Sequence, residues 1–207
     1  MNGWSEGLSS ITRFYDIFRT GRHSVTFVIY SADMQHQFNI VQASFEDIPE
    51  LSVLVNSAYR GDSSRKGWTT EADLLEGLRT NEADLRQHME EPGAVILKCV
   101  NNAGKICGSV YLQPKSKRLY LGMLTVDPVQ QGSGIGKLLL KAAEQHAAKN
   151  GFGSIVMTVI SVRTELLDWY KRHGYKETGQ RKPFPTDNHA FGMPLQPLEM
   201  LVLEKTI

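Results

Sequence analysis

Tyr120-Leu-Gly-Met-Leu-Thr-Val126, Asp127-Pro-Val-Gln-Gln131, Gly132-Ser-Gly134-Ile-Gly136 and Lys137-Leu-Leu-Leu140 running on to Asn150-Gly151 form the stretch on which the fold turns. Residues 119–126 are apolar and carry the β-branched pair Thr125 and Val126, which predicts a buried strand. Asp127-Pro128 ends it, because proline lacks an N–H and restricts its predecessor. Past the glycines, Ile135, Leu138, Leu139, Ala142 and His146 recur at helical spacing, and Gly151 stands where a C-terminal glycine cap belongs. The reading is strand, glycine-rich turn, helix.

Glycine at 132, 134 and 136 permits positive φ and a close approach of backbone to ligand. The amides of residues 132–137 then face outward at a helix N-terminus, a site for a diphosphate. A Walker loop is excluded, since Gln131 replaces its first glycine and Leu138 follows Lys137. A dinucleotide fingerprint is excluded too, since Lys137 occupies its third glycine.

Gln131-Gly-Ser-Gly134-Ile-Gly136 after Val126-Asp-Pro128 does fit Gln/Arg-x-x-Gly-x-Gly/Ala, and Trp169-Tyr170-Lys-Arg-His-Gly174-Tyr175 fits aromatic-Tyr-x-x-x-Gly-Phe/Tyr downstream. In both the chain resembles the GNAT superfamily of N-acetyltransferases. The resemblance implies an α/β (α+β) fold: a mixed, mostly antiparallel sheet, splayed between two parallel strands, with helices on both faces. It also implies acetyl-CoA as cofactor. The splayed pair would be 119–126 and 154–160, with Gly122 the expected bulge. Leu124, Thr125 and Val126 would bond the pantetheine arm as an added strand. Gly132, Ser133, Gly134, Ile135 and Gly136 would hold the diphosphate, with Gln131 and Lys137 beside them. Tyr170 falls on the family's tyrosine that protonates the departing thiolate, and the Leu124 amide would stabilise the oxyanion.

Two departures from the family pattern bear on mechanism. The strand positions that often carry a base hold Tyr120 and Gly122, and the asparagine often found seven residues before the tyrosine is Arg163. Deprotonating a lysine-type amine (pKa ~10.4) at pH 7 costs roughly 4.6 kcal/mol, against about 1.4 for an α-amine near ~8. The expectation is a low-pKa amine acceptor, or a water relay from Glu71 or Tyr120. The family also implies that the first helices and their loop wall the acceptor pocket. That makes Arg60, Trp68, Thr69, Glu71, Arg163 and Phe184 the acceptor candidates, although Glu71 and Asp73 also suit the first turn of a helix.

The rest of the chain sets the frame. At 207 residues, with 41% hydrophobic and 22% charged residues, it can bury one substantial core. A net charge of +1 argues against a nucleic-acid or membrane footprint. No apolar run reaches the ~18 residues of a membrane span, and no metal is called for. The two cysteines, Cys99 and Cys107, suit a reducing, cytoplasmic compartment as buried thiols. The expected partner is a small-molecule or peptide amine, and the expected assembly a monomer or homodimer.

Residues 1–35 read differently, with a short helix over 11–19, a strand over 24–30 and no signal-peptide pattern. They are taken as an N-terminal extension to a domain over 36–207. A strand over 38–42 begins that domain, and a helix from Asp47-Ile-Pro49 buries Leu51, Leu54, Val55 and Ala58. Next come an acidic helix with Leu74, Leu75 and Leu78 inside, a turn capped by Asn81, and strands over 94–100 and 106–113. A helix from Arg163 or Thr164 follows the 154–160 strand, with final strands over 175–181 and 198–205. The aromatic loop 182–194 is read as substrate-facing.

Overall fold

Burial alternates along Arg118–Val126, with Leu119, Leu121, Met123 and Thr125 inside, and this strand anchors the architecture. The structure, a computed structural model, describes residues 37–186 and 191–207. The helix and strand expected over 11–19 and 24–30, and the boundary near residue 35, lie outside the described residues.

The strands are β1 (Phe38–Gln42), β2 (Leu75–Glu76), β3 (Val95–Asn101), β4 (Ile106–Lys115), β5 (Arg118–Val126), β6 (Ser154–Ile160), β7 (Lys176–Pro183), β8 (Met193–Pro194) and β9 (Glu199–Thr206). The helices are α1 (Ile48–Tyr59), the single turn α2 (Gly61–Ser64), α3 (Glu82–Glu90), α4 (Ile135–Lys149) and α5 (Thr164–Arg172). Seven strands form one sheet in the order β1-β3-β4-β5-β6-β9-β7. Among the described residues only β5 and β6 pair in parallel, joined by the α4 crossover. This is the mixed, mostly antiparallel sheet expected from the sequence.

Both sheet faces are covered. On one, Val110, Leu112, Leu119 and Leu121 pack against Ile135, Leu139, Leu140, Ala143 and Ala147 of α4. On the other, Ile96, Ile106, Tyr111 and Met123 pack against Ile48, Leu51, Leu54 and Val55 of α1 and Leu85 of α3. The buried face of α4 is rotated from the expected one, since Leu138, Ala142 and His146 are only half-buried. Cys99 and Cys107 are buried and free, their sulfurs 3.6 Å apart, and burial pushes the Cys99 thiol up to about 12.

One expected helix is absent. Residues 72–74 form a turn, in which the Leu74 and Leu75 amides bond the Glu71 carbonyl, and it leads directly into β2, which pairs with β8. Two forces override the helical pattern. Gly77 takes φ +83°, and the Glu71 carboxylate is drawn inward between two guanidiniums instead of lying on a solvated first turn. Thr70 Oγ1 accepts from Ala72 N–H at 3.0 Å, while Asp73 pairs with Arg65 at 2.7 Å.

Candidate active site

β5 and β6 are in register only over Arg118↔Ser154, Leu119↔Ile155 and Tyr120↔Val156, and beyond Tyr120 they part. The cause is a bulge in β5. Ser109 faces Thr125 and Tyr111 faces Gly122, so Met123 and Leu124 together oppose Val110. An extra residue on one strand bends it and adds twist. It also changes which face the side chains take. Leu119 and Leu121 lie toward α4, whereas Met123, at φ +45°, crosses to the α1 side and Leu124 returns. The bulge therefore sits one residue beyond the expected Gly122. Gly122 has another role: a Cβ there would stand 2.9 Å from Cε1 of Tyr120.

The glycine-rich turn then delivers α4. Gly132 (φ +83°) and Gly134 (φ +91°) are left-handed, and Gly134 is the N-cap. Leu138 N–H bonds the Gly134 carbonyl, and Ser133 N–H bonds Gln130. Among the described residues, the amides of Gly132, Gly134, Ile135, Gly136 and Lys137 meet no main-chain carbonyl outside α4. A group of free donors at the start of a fifteen-residue helix is a ready anion site. Gly136 contributes differently from expectation, for it is helical, and a Cβ on it would lie 3.3 Å from Trp169. Ser133 turns its hydroxyl to the Gln130 carbonyl at 2.6 Å. The Gln131 side chain is committed within the chain: its Oε1 accepts from Trp68 N–H at 2.9 Å and its Nε2 reaches Val126 O at 3.4 Å.

Two cavities meet at the fork. The larger, about 460 Å³, runs from Leu124, Thr125 and Val126 to the glycine turn, and is flanked by Trp68, Thr69 and Trp169, with Lys137 and Arg172 also on its wall. The smaller, about 80 Å³, lies among Glu71, Arg79, Tyr120, Thr158, Phe184 and Phe191. Tyr59, Leu124, Arg163, Leu166 and Tyr170 line both. The expected acceptor residues therefore divide. Glu71 and Phe184 line the smaller cavity, Arg163 lines both, Trp68 and Thr69 line the larger, and Arg60 lines neither.

Burial pushes the Tyr170 hydroxyl well above the ordinary tyrosine value of 10.0, and neighbouring Tyr59 adds to the effect. The hydroxyl has no hydrogen-bond partner among the described residues. Burial raises Tyr59 too, and its hydroxyl donates to the Leu124 carbonyl at 2.9 Å, holding the bulge against α1. Tyr120 reaches Thr158 Oγ1 at 3.5 Å.

Arg60, Glu71 and Arg163 form a buried charge triad, their side chains 7%, 8% and 7% exposed. Arg60 Nη1 donates to Glu71 Oε2, and Arg163 Nη1 to Glu71 Oε1 at 2.6 Å. Arg163 also donates to Thr69 Oγ1 at 2.6 Å, and Arg60 to the Phe191 carbonyl at 2.7 Å. With each carboxylate oxygen held by a guanidinium, Glu71 is a poor proton relay, which corrects one of the two relays expected from sequence.

Sequence reasoning missed Tyr59, Arg79, Leu166 and Arg172. Tyr59 and Arg79 come from segments far from the fork in the chain, and only packing brings them there. Leu166 and Arg172 stand on the same helix as Tyr170, where i−4 spacing offered a signal for Leu166.

Residues 71–187 match the acetyltransferase (GNAT) domain family. The uncharacterized N-acetyltransferase YhfO of Bacillus subtilis is 30% identical over 145 residues, covering 67% of this chain and 90% of that protein. Human N-acetyltransferase 8B is 29% identical over 124 residues, covering 56% of this chain and 53% of that protein. The chain thus spans about half the length of that human relative. The crystal structure of the ribosomal-protein-S18-alanine N-acetyltransferase from Escherichia coli superposes with a TM-score of 0.62 at 16% identity, covering 82% of this chain and 94% of the other. With the sheet, the fork and the glycine turn in agreement with these matches, the chain belongs to the GNAT acetyltransferase family.

Proposed function

We propose that the protein is an acetyl-CoA-dependent N-acetyltransferase acting by direct attack on a primary amine of a small molecule or peptide. The observation that carries this reading is the meeting of a long cleft, which ends on free helix-terminal amides, with a smaller cavity at one wall containing Tyr170. The residues present fit the cofactor. Gly132, Gly134, Ile135, Gly136 and Lys137 offer uncommitted donors for its diphosphate, Lys137 and Arg172 add positive charge on the same wall, and the parted edge of β5 offers main chain to its arm. When bound, acetyl-CoA supplies a thioester carbon open to attack and a thiolate leaving group.

The chain's own residues do the rest. Tyr170 holds a proton at the wall shared by the two cavities and is the group positioned to give it to a leaving thiolate. The Leu124 amide, in a bulge fixed by Tyr59, is the assigned oxyanion donor. Among the described residues that shared wall carries no thiol, serine or amine, which favours direct attack over a covalent enzyme intermediate. Tyr120, whose hydroxyl lies 3.5 Å from Thr158 Oγ1, is the remaining proton relay from the amine.

Calorimetric titration with acetyl-CoA, run beside thiol release over an amine panel, tests the assignment. Binding with turnover is expected. Binding with no turnover on any amine would leave a non-catalytic acyl-CoA-binding module instead.

The phosphate loop has its own test. Gly134→Val places a β-branched side chain at φ +91° in the helix mouth, and acetyl-CoA affinity should fall at least tenfold. Gly104→Val is the control. It imposes similar strain at φ +79° in the β3–β4 turn, where an added Cβ would meet nothing within 4 Å, and should keep cofactor affinity. Equal affinities in the two variants would remove the loop from the cofactor site.

Residues 36–207 are assigned as the catalytic domain, in a cytoplasmic protein that is a monomer or homodimer. Among the described residues no helix is long and apolar enough to cross a membrane. A chain starting at Met34 is expected to fold and bind acetyl-CoA as the full chain does. Loss of folding or binding in that truncation would make residues 1–33 part of the domain.

A further inference from the structure

We infer that the acceptor is an α-amino acid-type amine whose carboxylate is bound by Arg79 in the smaller cavity, an inference that rests on the acetyltransferase reading above. The charged side chains on that cavity's wall are Glu71, Arg79 and Arg163, beside the neutral hydroxyls of Tyr59, Tyr120 and Tyr170. Arg60 stands behind Glu71, and Glu165 Oε1 lies 3.7 Å from Arg163 Nε. Among the described residues three guanidiniums thus face two carboxylates, a surplus of one positive charge. Both oxygens of Glu71 are taken by Arg60 and Arg163, so the surplus falls on Arg79.

Arg79 makes no salt bridge among the described residues. Its Cζ instead lies 5.4 Å from the Tyr59 ring centre and 5.0 Å from that of Phe191. Aromatic rings engage the face of a guanidinium and leave its in-plane N–H groups for a planar, bidentate anion. The rings are themselves fixed, Tyr59 by its bond to the Leu124 carbonyl and Phe191 by Arg60 on its own carbonyl at 2.7 Å. This is a pre-positioned cation, half-buried and facing a cavity that also touches Tyr170.

Size narrows the class. The cavity's volume of about 80 Å³ is roughly half that of an engineered cavity that holds a benzene ring (~150 Å³). Only a handful of heavy atoms fit. An α-amino acid, whose amine and carboxylate share one carbon, is compact enough to present both groups to the shared wall and Arg79 within that space. The side chain of such an acceptor would pack against Phe184, Phe191 and Met200, which line the same cavity.

The test uses the full chain, acetyl-CoA as donor, and four probes: L-leucine, L-methionine and their α-amides. With the native protein, kcat/KM for each acid should exceed that for its amide at least tenfold. Arg79→Met should lower that acid-to-amide ratio at least tenfold, through KM for the acid, and Arg79→Lys should restore part of it. Acetyl-CoA titration of each variant reports that the fold is retained. A native ratio near one overturns the inference while the acetyltransferase reading stands. So does an Arg79→Met variant that slows acid and amide equally, because a purely structural arginine would do that. Acetyl-CoA binding with no turnover of any of the four probes also overturns it, and absence of acetyl-CoA binding sinks both readings.

Discussion

Replacing Tyr170 by phenylalanine should lower turnover on the order of 100-fold while leaving acetyl-CoA affinity nearly unchanged, the loss typical of a removed general acid. The phenyl ring keeps the packing: Tyr170 stacks edge-on against Trp169 at 5.1 Å and Tyr175 at 5.8 Å, and both contacts survive without the hydroxyl. Only the proton is lost. The pH profile carries a second reading of the same assignment. An acid must be protonated to act, and a hydroxyl held well above 10.0 by burial keeps its proton across any ordinary assay range. The rate should therefore rise as the acceptor amine loses its proton and then stay level up to about pH 10, with no falling limb from Tyr170. Steady-state kinetics of Tyr170→Phe across that range decide the matter. An unaltered rate, or a native profile that falls between pH 8 and 9 with a limb that Tyr170→Phe abolishes, would take the role away from this residue.

Glu71→Gln should cost about 3–5 kcal/mol of stability, because it leaves two buried guanidiniums facing a neutral amide. For a chain of this size that corresponds to a fall in melting temperature of about 10 °C. The sign of the triad supplies an internal comparison. Removing one cation leaves a matched pair, whereas removing the anion leaves two like charges, so Arg163→Met should cost less than Glu71→Gln. Thermal unfolding of the two variants checks the order. A reversed order, or a Glu71→Gln variant as stable as the native chain, would show that the triad does not hold the 60–71 loop to α5. The same triad explains why Arg60 is missing from the cavity walls although its residue type suggests substrate contact. Its guanidinium neutralises Glu71 and fixes the Phe191 carbonyl, so it works from behind the pocket.

The parts of this protein legible in its sequence are those fixed by local chemistry. Strand, Asp127-Pro128 stop, glycine turn and helix are nearest-neighbour matters of hydrogen-bond donors, φ restriction and side-chain period, and β5 and α4 follow within a residue or two. The Asn81 cap is equally local, with its side chain accepting from Asp84 N–H at 2.9 Å. Tyr170, on the wall of the larger cavity, belongs to a motif whose parts lie close together in the chain.

What tertiary structure decided involves partners distant in sequence. The helix expected over 71–78 gives way because Glu71 finds Arg163, 92 residues away, and a buried ion pair outweighs weak local helix preference. The bulge moves from Gly122 to Met123 and Leu124 because its place depends on the register with β4, and Gly122 is needed to make room for the Tyr120 ring. Gly136 looks like its two neighbours in the motif, yet its lack of a side chain serves Trp169 on α5. Arg79 carries no motif at all. Only the packing of Tyr59 and Phe191 around it, from segments separated by more than a hundred residues, makes it a candidate for the acceptor's charge.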